Sequence, residues 1–273
     1  MFMERGWPFD GRVPDFEDTI NLFAAVDTPV RDTLLELLRR FRHLPSAAYE
    51  DLIFEFFERH RTTLRVAVAG RRVVLVPVIA PKDDGRIKGS TRVGVEIKDH
   101  LLGDLEHLLD APSVQLLSDP RAFREWRGSE EAEASGPWFV LFLEDFVGSG
   151  DSMLEFCEAQ IPNLAAGDDW RVATLVTLER GRLAVEAAYP GCLLAGEVHS
   201  RAISDSYPTE VAQEMLAHMG TVFKLLKVKK KYRLGYAESE AIIAMARTPN
   251  NTFPAFWCTQ GRGAVWPAPF PRI

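Results

Sequence analysis

The chain has 273 residues, of which 47% are hydrophobic and 26% charged, so it can bury a large core and has a common length for an α/β domain. Its formal net charge of −7 argues against a general nucleic-acid binder, because such proteins neutralise phosphates with Lys and Arg. Three widely spaced cysteines without a Cys-x-x-Cys pair argue against a disulfide scaffold or a zinc site. The N-terminal residues lack an apolar signal core, and no apolar run has the length of a membrane span, so we expect a cytoplasmic protein.

The first sixty or so residues predict helices. Apolar side chains recur at helical spacing in stretches at residues 16–24, 34–41 and 49–57. We expect the side chains of the third stretch, including Tyr49, to pack rather than to act chemically. The interpretation is a helical cap or partner-docking region over residues 1–65, followed by an α/β domain over residues 66–273.

Short apolar runs then alternate with helical patterns. The runs that predict strands lie at residues 73–80, 114–117, 138–144, 172–178, 192–196 and 241–246. Helical spacing separates them, as at residues 97–109 and 182–189. Alternation of this kind predicts a parallel sheet with helices on both faces. Pro77 lacks a ladder donor, so the first strand is expected at an edge or in an irregular position.

The strand at residues 138–144 leads into the most informative segment of the chain. Two adjacent carboxylates and a loop of small and polar residues come in succession: Glu144, Asp145, Gly148, Ser149, Gly150, Asp151 and Ser152. The glycines free the backbone for positive φ and close approach to a ligand, and the other loop residues stand where a helix is capped. A helix N-terminus is a seat for phosphate, whereas paired carboxylates suit the cis hydroxyls of a ribose or a Mg²⁺ ion.

Open α/β sheets bind ligands at the carboxyl ends of their strands, so the segment predicts a site for a sugar phosphate. An ordinary strand-to-helix turn with a Ser/Asp cap is the alternative. Two familiar phosphate loops do not fit. A Walker A loop would need a lysine after Gly150, and a dinucleotide fingerprint would need glycine where Met153 stands.

Two motifs resemble those of known proteins. The segment from Trp138 to Ser152 resembles the phosphoribosyl-pyrophosphate (PRPP) motif of type I phosphoribosyltransferases, with its apolar strand, two acids and Thr/Ser-Gly-x-Thr/Ser loop. The segment from Leu234 to Trp257 resembles the Gly-Tyr/Phe segment and Thr-Pro-Asn-Asn-Thr-Leu-Pro-x-x-Trp ending of a phosphoribosyltransferase-like effector family. That family is found beside prokaryotic anti-phage and other conflict systems, including retrons. Phe253 replaces its usual Leu.

The resemblance implies a type I phosphoribosyltransferase-like parallel sheet with flanking helices and an N-terminal helical region. It also implies an enzyme that binds PRPP with Mg²⁺, transfers the phosphoribosyl group and releases pyrophosphate, as an effector in anti-phage defence. Glu144 and Asp145 would hold the ribose hydroxyls and Gly148–Ser152 the 5′-phosphate, with the metal held through the substrate pyrophosphate rather than by a protein metal site. A reverse transcriptase with its RNA is an implied partner. A non-catalytic sensor or interaction module that binds PRPP or a nucleotide in the same seat is the alternative.

In such a fold the loop after the first core strand, residues 81–92, faces the pyrophosphate. Its cations are Lys82, Arg86, Lys88 and Arg92, and its best candidates for binding the leaving group are Lys88, Gly89 and Ser90. A flexible solvated loop is the alternative.

Three further features stand out. His199, in the stretch 197–201, is a candidate acid or base. The basic run Lys224–Arg233 suits RNA or polyphosphate, or else is the solvated end of a helix. The proline-flanked residues 250–252 predict a turn held by side-chain to backbone hydrogen bonds, with Phe256 and Trp257 as its anchors.

Overall fold

The computed structural model describes residues 1–7, 14–83, 88–134, 136–263 and 265–272, so the predicted cation Arg86 lies outside the described residues. The chain divides into two compact units. We call Ser46–His199 the sheet unit, and Met1–Pro45 together with Ser200–Ile273 the terminal unit.

The strands and helices follow in chain order. The strands are β1 (Arg42–His43), β2 (Arg72–Pro77), β3 (Val114–Leu116), β4 (Trp138–Val147), β5 (Asp169–Leu178), β6 (Leu193–His199) and β7 (Ile243–Ala244). The helices are α1 (Phe2–Arg5), α2 (Phe16–Ala24), α3 (Thr28–Arg40), α4 (Tyr49–Val68), α5 (Gly89–Glu96), α6 (Leu102–Leu109), α7 (Pro120–Arg127), α8 (Glu130–Ala134), α9 (Asp151–Gln160), α10 (Glu179–Ala188) and α11 (Thr209–Leu225). One π-helical turn, Ile97–Leu101, joins α5 to α6. The cap boundary predicted at residue 65 lies inside α4; a functional cap over residues 1–65 stays a prediction.

The sheet unit is built on a five-stranded sheet in the order β3-β2-β4-β5-β6, and every neighbouring pair is parallel. The predicted α/β fold class is therefore confirmed. The chain passes from β2 outward to β3, and later from β4 to β5 and β6 on the other side. Ligands of open α/β sheets bind outside the carboxyl ends of the strands where the order reverses, which here is between β2 and β4.

Both faces of β4 are covered, which explains why its sequence is an unbroken apolar run. On one face, Phe142 packs edge to face against Phe123 of α7 and Phe156 of α9. Phe139 and Leu141 are equally buried and point to the opposite face by strand alternation. Helices α4 and α5 contact the sheet as well, α5 on β2 and β4, and α4 on β5 and β6.

Two strand expectations are corrected. The strand that contains Pro77 is not an edge strand, since β2 lies between β3 and β4. The proline is tolerated because it is the last residue of β2, beyond the end of the β3 ladder. The strand predicted at residues 241–246 shrinks to Ile243–Ala244, which pairs with β1 in a separate two-stranded sheet. Ala241 instead pairs with the backbone of the 251–253 segment.

The terminal unit has its own core, in which Phe41 stacks on Phe270 with ring centroids 4.0 Å apart. The predicted turn at residues 250–252 is confirmed there. The Asn251 amide donates to the Tyr236 carbonyl at 3.3 Å, and the Trp257 indole donates to the carbonyl of residue 252 at 2.7 Å. No helix among the described residues combines the length and apolar character needed to cross a bilayer.

Candidate functional site

The adjacent carboxylates lie near the carboxyl end of β4, at the reversal of strand order. The strand continues to Val147, so Glu144 and Asp145 belong to it rather than follow it. The β2 ladder ends opposite Leu143, whose carbonyl accepts the Val78 N–H at 2.8 Å. The acids therefore stand just past the end of β2, in the space that the loop after β2 enters.

Asp145 is held by a tyrosine and by the start of a helix. Tyr49, the first residue of α4, is 0% exposed, and its hydroxyl donates to Asp145 Oδ2 at 2.9 Å. At Gly89, the first residue of α5, an added Cβ would lie 1.8 Å from Oδ2 and 2.1 Å from Cγ of Asp145. Only glycine leaves room for the carboxylate here. The positive end of the α5 dipole also favours a negative charge at this point.

Glu144 shares the electrostatics of its neighbour. Its Oε1 accepts the backbone N–H of Asp145 at 3.1 Å. Burial raises the pKa of Glu144 well above its usual range, the negative charge of Asp145 raises it further, and the positive charge of Lys88 opposes the shift. A negative charge on one carboxylate of the pair therefore makes a charge on Glu144 less favourable.

The loop after β2 comes to the same end of the sheet. Lys88 is the N-cap residue of α5, and its Nζ lies 2.7 Å from Oδ2 of Asp83, a residue that is only 8% exposed. Lys82 pairs with Glu155 of α9, and this hydrogen bond is the main cause of its raised pKa. The structure thus brings Lys88 near the acid pair and Lys82 near α9, each with a carboxylate partner.

Ser90 and Arg92 serve the packing of this loop. Ser90 is fully buried, and its hydroxyl donates to the carbonyl of Val78 at 2.6 Å. Arg92 is exposed and donates to the hydroxyl of Ser46. Of the predicted pyrophosphate candidates, Lys88 and Gly89 are the two that the structure places beside the acids.

The glycine loop after β4 is packed closely against α10. Gly150 has φ of +91° and is the N-cap of α9, as its predicted freedom requires. A Cβ on Gly181 would lie 2.4 Å from the carbonyl oxygen of Gly148, and a Cβ on Gly150 would lie 3.1 Å from the Cβ of Ala184. The neighbours on this side are therefore small residues.

The other loop residues stand at the first turn of α9. Ser149 Oγ accepts the N–H of Asp151 at 3.4 Å, and Asp151 and Ser152 are exposed. The first N–H groups of a helix have no partner within it, so this end of α9 can donate to an anion.

His199 lies apart from the acid pair. It ends β6, two strands from β4, which is about 10 Å in the hydrogen-bonding direction. Its Nε2 lies 2.9 Å from Oε2 of Glu197, two residues earlier on the same strand face.

Sequence reasoning missed two residues of the site. The sequence predicts packing for Tyr49, and its ring is indeed buried, but its hydroxyl also donates to Asp145. A single phenol on a helix face of Leu, Ile and Phe was the available signal. Asp83, the partner of Lys88, carried no signal beyond its place in the loop. Among the described residues, no group of three or more His, Cys, Asp or Glu side chains is arranged to hold a metal ion.

Among solved structures, the chain is similar to a hypoxanthine phosphoribosyltransferase from Staphylococcus aureus. The identity is 15% and the TM-score 0.30, over 55% of this chain and 74% of that one. It is also similar to a hypoxanthine-guanine phosphoribosyltransferase from Schistosoma mansoni in complex with IMP. There the identity is 15% and the TM-score 0.31, over 57% of this chain and 65% of that one. Likeness at this level carries no argument about fold or substrate, and no curated protein matches the chain in sequence.

The match to a family model is far more extensive, since it covers residues 20–272. It includes both motifs on which the resemblance to a phosphoribosyltransferase-like family depends, and so confirms that resemblance. The chain belongs to the PRTase-CE family.

Proposed function

We propose that this protein is a phosphoribosyltransferase-type enzyme that binds PRPP, or another 5′-phosphoribosyl compound, with Mg²⁺ at the carboxyl ends of β2 and β4. The observation that carries the proposal is the placement of Asp145. Its carboxylate is oriented by the Tyr49 hydroxyl and by the backbone at Gly89, at the point where the strand order reverses. Family membership supports the reaction type.

The acid pair is suited to a ribose diol. Each sugar hydroxyl both donates and accepts hydrogen bonds. Asp145, fixed by Tyr49, would accept from one hydroxyl, and Glu144, whose raised pKa favours its protonated form, would donate to the other. Protonation of Glu144 would also lessen the repulsion between the acids and the phosphates of the substrate.

The start of α9 is suited to the 5′-phosphate. The N–H groups of its first turn, which have no partner within the helix, and the hydroxyls of Ser149 and Ser152 would supply donors, and Gly150 lets the backbone turn toward the ligand with φ of +91°. Asp151 is exposed at the same turn.

Pyrophosphate would be bound through Lys88 and the metal. Lys88 would exchange its ion pair with Asp83 for a contact with the leaving group. The residues fit a substrate-held Mg²⁺, because the carboxylates of Glu144 and Asp145 are oxygen donors and Mg²⁺ usually keeps its waters and binds through substrate phosphates. When bound, the metal supplies positive charge that stabilises the departing pyrophosphate.

The proposed step is displacement at C1 of the ribose. The C1–O bond breaks with its electron pair leaving on pyrophosphate, positive charge develops on the ring, a bond from the acceptor to C1 forms, and the proton of the acceptor passes to solvent or to the released pyrophosphate. The acceptor is a base, a nucleotide, a protein side chain or a nucleic acid. The carboxylate of Asp145 adds electrostatic stabilisation as the ring becomes positive.

We also propose a role as an effector in anti-phage defence, with a reverse transcriptase and its RNA as partner. The segment from Leu234 to Trp257, which resembles conflict-system effectors, and membership of the PRTase-CE family support this role. Co-purification of the native protein, followed by identification of bound protein and RNA, tests it, and recovery of the protein alone would count against it.

The test of the enzyme is PRPP binding by calorimetry with and without Mg²⁺, followed by pyrophosphate release with a panel of acceptors. We expect binding that depends on Mg²⁺, and release that falls about 10-fold to 100-fold in Asp145→Asn, the cost of a lost charged hydrogen-bond acceptor. Asp104→Asn, on an exposed position of α6, is the matched control and should behave as the wild type. Binding without release would favour the sensor, and failure to bind PRPP or any 5′-phosphoribosyl compound would refute both functions.

A further inference from the structure

The last part of the terminal unit is basic, although the chain as a whole is acidic. Residues 224–272 contain nine Lys and Arg side chains but only two acids, Glu238 and Glu240, in a chain of net charge −7. Glu240 is buried, and its carboxylate accepts the backbone N–H groups of Ile203 and Ser204. Glu238 is thus the one acid of this segment at the surface.

A cavity of about 470 Å³ opens within this segment, a volume typical of ligand sites. Lys230, Lys231 and Arg233 line it, together with Tyr236 and Glu238. Within the described ranges, none of the three cations forms an ion pair with a carboxylate. Unpaired positive charge is therefore concentrated in a concave surface.

The cations are not merely the solvated end of a helix. Helix α11 ends at Leu225, so only Lys224 of the basic run lies in its last turn. Lys230–Tyr232 form a separate 3₁₀ turn. Of the basic run, only Lys224 therefore fits the interpretation as the solvated end of a helix.

Aromatic rings are interleaved with these charges. Lys231 Nζ lies 5.1 Å from the ring centroid of Tyr232 and 5.4 Å from that of Tyr236. The Tyr232 centroid lies 5.9 Å from that of Tyr236 and 6.2 Å from that of Trp257, and all three rings are half-buried. Arg272 and Arg247 lie close enough to each other to interact electrostatically, and Arg272 also interacts with Tyr232. Positive groups thus extend beyond the cavity.

The rim of the cavity has a strained backbone. Ala237 and Glu238 have φ of 56° and 54°, in the left-handed region that residues with a Cβ rarely adopt. Gly235 fixes the entry to this stretch, because a Cβ there would lie 1.9 Å from the carbonyl oxygen of Asn251. Strain of this kind persists where the surrounding structure enforces it, and it is concentrated at ligand sites.

We propose that the surface formed by the 230–238 cavity and its neighbouring cations binds single-stranded nucleic acid. Unpaired cations with accessible aromatic rings are the combination that holds single strands, since phosphates contact the cations and bases stack on the rings. The cavity takes one nucleotide, with its base on Tyr236. Further cations flank the cavity, since Lys229 precedes it in the chain and Arg272 interacts with Tyr232, and this favours a strand over a free nucleotide. A paired base has no free face to offer a half-buried ring, which disfavours a duplex.

The test uses the full chain and fluorescence anisotropy with a labelled oligonucleotide of about twelve nucleotides, as RNA and as DNA, at several salt concentrations. The triple variant Lys230→Gln, Lys231→Gln, Arg233→Gln should weaken binding at least about 10-fold and lower the salt slope by about 2, since each contacted phosphate of a single strand contributes about 0.7. The matched control removes the same charge from exposed positions of the sheet unit, with Arg59→Gln, Lys98→Gln and Arg124→Gln. It should bind as the wild type.

A second variant separates stacking from charge. Tyr236→Leu should weaken binding about 5-fold to 100-fold with little change in salt slope, because it removes a stacking ring and no charge. Thermal melting of every variant confirms that it is folded. The wild type should bind the oligonucleotide without PRPP or Mg²⁺, and Asp145→Asn should bind it equally well. The test of this proposal is therefore independent of the test of the enzyme.

Three results would overturn the proposal. One is equal affinity in the two triple variants. Another is equal affinity for a duplex of the same length. The third is complete competition by inorganic phosphate or AMP at the concentration of the oligonucleotide, which would indicate a small-anion site.

Discussion

Gly89 offers the sharpest test of the site, because its backbone touches the carboxylate of Asp145. In Gly89→Ala the new Cβ would lie 1.8 Å from Oδ2, 2.1 Å from Cγ and 2.3 Å from Oδ1. Non-bonded heavy atoms separate to about 3.5 Å, so the carboxylate or the start of α5 must retreat by roughly 1.5 Å.

Either response is unfavourable. If the carboxylate moves, its hydrogen bond from Tyr49 is lost, at about 1.5–3 kcal/mol for a bond to a charged acceptor. If α5 moves, the cost is that of overpacking, about 1–3 kcal/mol. Both exceed the gain of about 0.5–1 kcal/mol that alanine brings to a helix. Displacement of a reacting group by about 1 Å lowers turnover about 100-fold.

We therefore expect Gly89→Ala to reduce pyrophosphate release about 100-fold and the free energy of unfolding by about 1–2 kcal/mol, measured by urea denaturation. Gly103→Ala is the matched control. It lies in α6, where a Cβ meets nothing within 4 Å, and it should be active and at least as stable as the wild type. Wild-type release by Gly89→Ala would show that the contact between α5 and Asp145 does not position the acid for the reaction.

Three other substitutions test separate parts of this account. Tyr49→Phe keeps the buried ring but removes the hydroxyl that donates to Asp145. It should lower the free energy of unfolding by about 1.5–3 kcal/mol and weaken PRPP binding in calorimetry. Unchanged affinity for PRPP would mean that the hydroxyl does not orient the acid. Glu144→Gln tests the raised pKa. Between the unfolded value near 4.3 and the raised folded value, the folded wild type binds more protons than the unfolded chain, so its stability falls as pH rises through this window. The Gln variant should lose that decline and be the more stable protein at neutral pH, whereas parallel stability curves from pH 4 to 8 would contradict the shift. Arg127→Met removes the cation that lies 3.0 Å from the buried carboxylate of Asp168. The free energy of unfolding, measured by urea denaturation, should fall by about 3–5 kcal/mol. A decrease below about 1 kcal/mol would show that the ion pair is not needed for stability.

The sheet could be predicted because strands buried on both faces leave apolar runs that are hard to mistake. The run from Trp138 to Leu143 is buried throughout, and its helical neighbours show the 3.6-residue period. Strand ends were less certain. Hydropathy places the end of β4 at its first charge, Glu144, whereas the backbone continues to Val147. Polar side chains are tolerated at the carboxyl end of a strand because that end opens toward a site.

The contacts that shape the site could not be predicted. Tyr49 and Asp145 are 96 positions apart, and their hydrogen bond depends on how α4 lies across the sheet. A helical pattern shows which face is buried but not which polar atom that face brings to a strand. The need for glycine at position 89 could not be predicted from the sequence either. It arises from the Asp145 carboxylate next to Gly89 rather than from an unusual φ.

Charge distribution ties the two proposals together. The charge of −7 is divided unevenly between the two units. The sheet unit has 16 Lys and Arg residues and 26 Asp and Glu residues, and the terminal unit has 16 Lys and Arg residues and 13 Asp and Glu residues. The net charge of the sheet unit therefore repels a nucleic acid, whereas that of the terminal unit does not. A polyanion such as PRPP can bind an acidic unit only where local donors and a metal outweigh the surrounding charge. The start of α9, Lys88 and Mg²⁺ are the groups suited to that task, and binding of PRPP without a divalent cation would contradict this electrostatic argument.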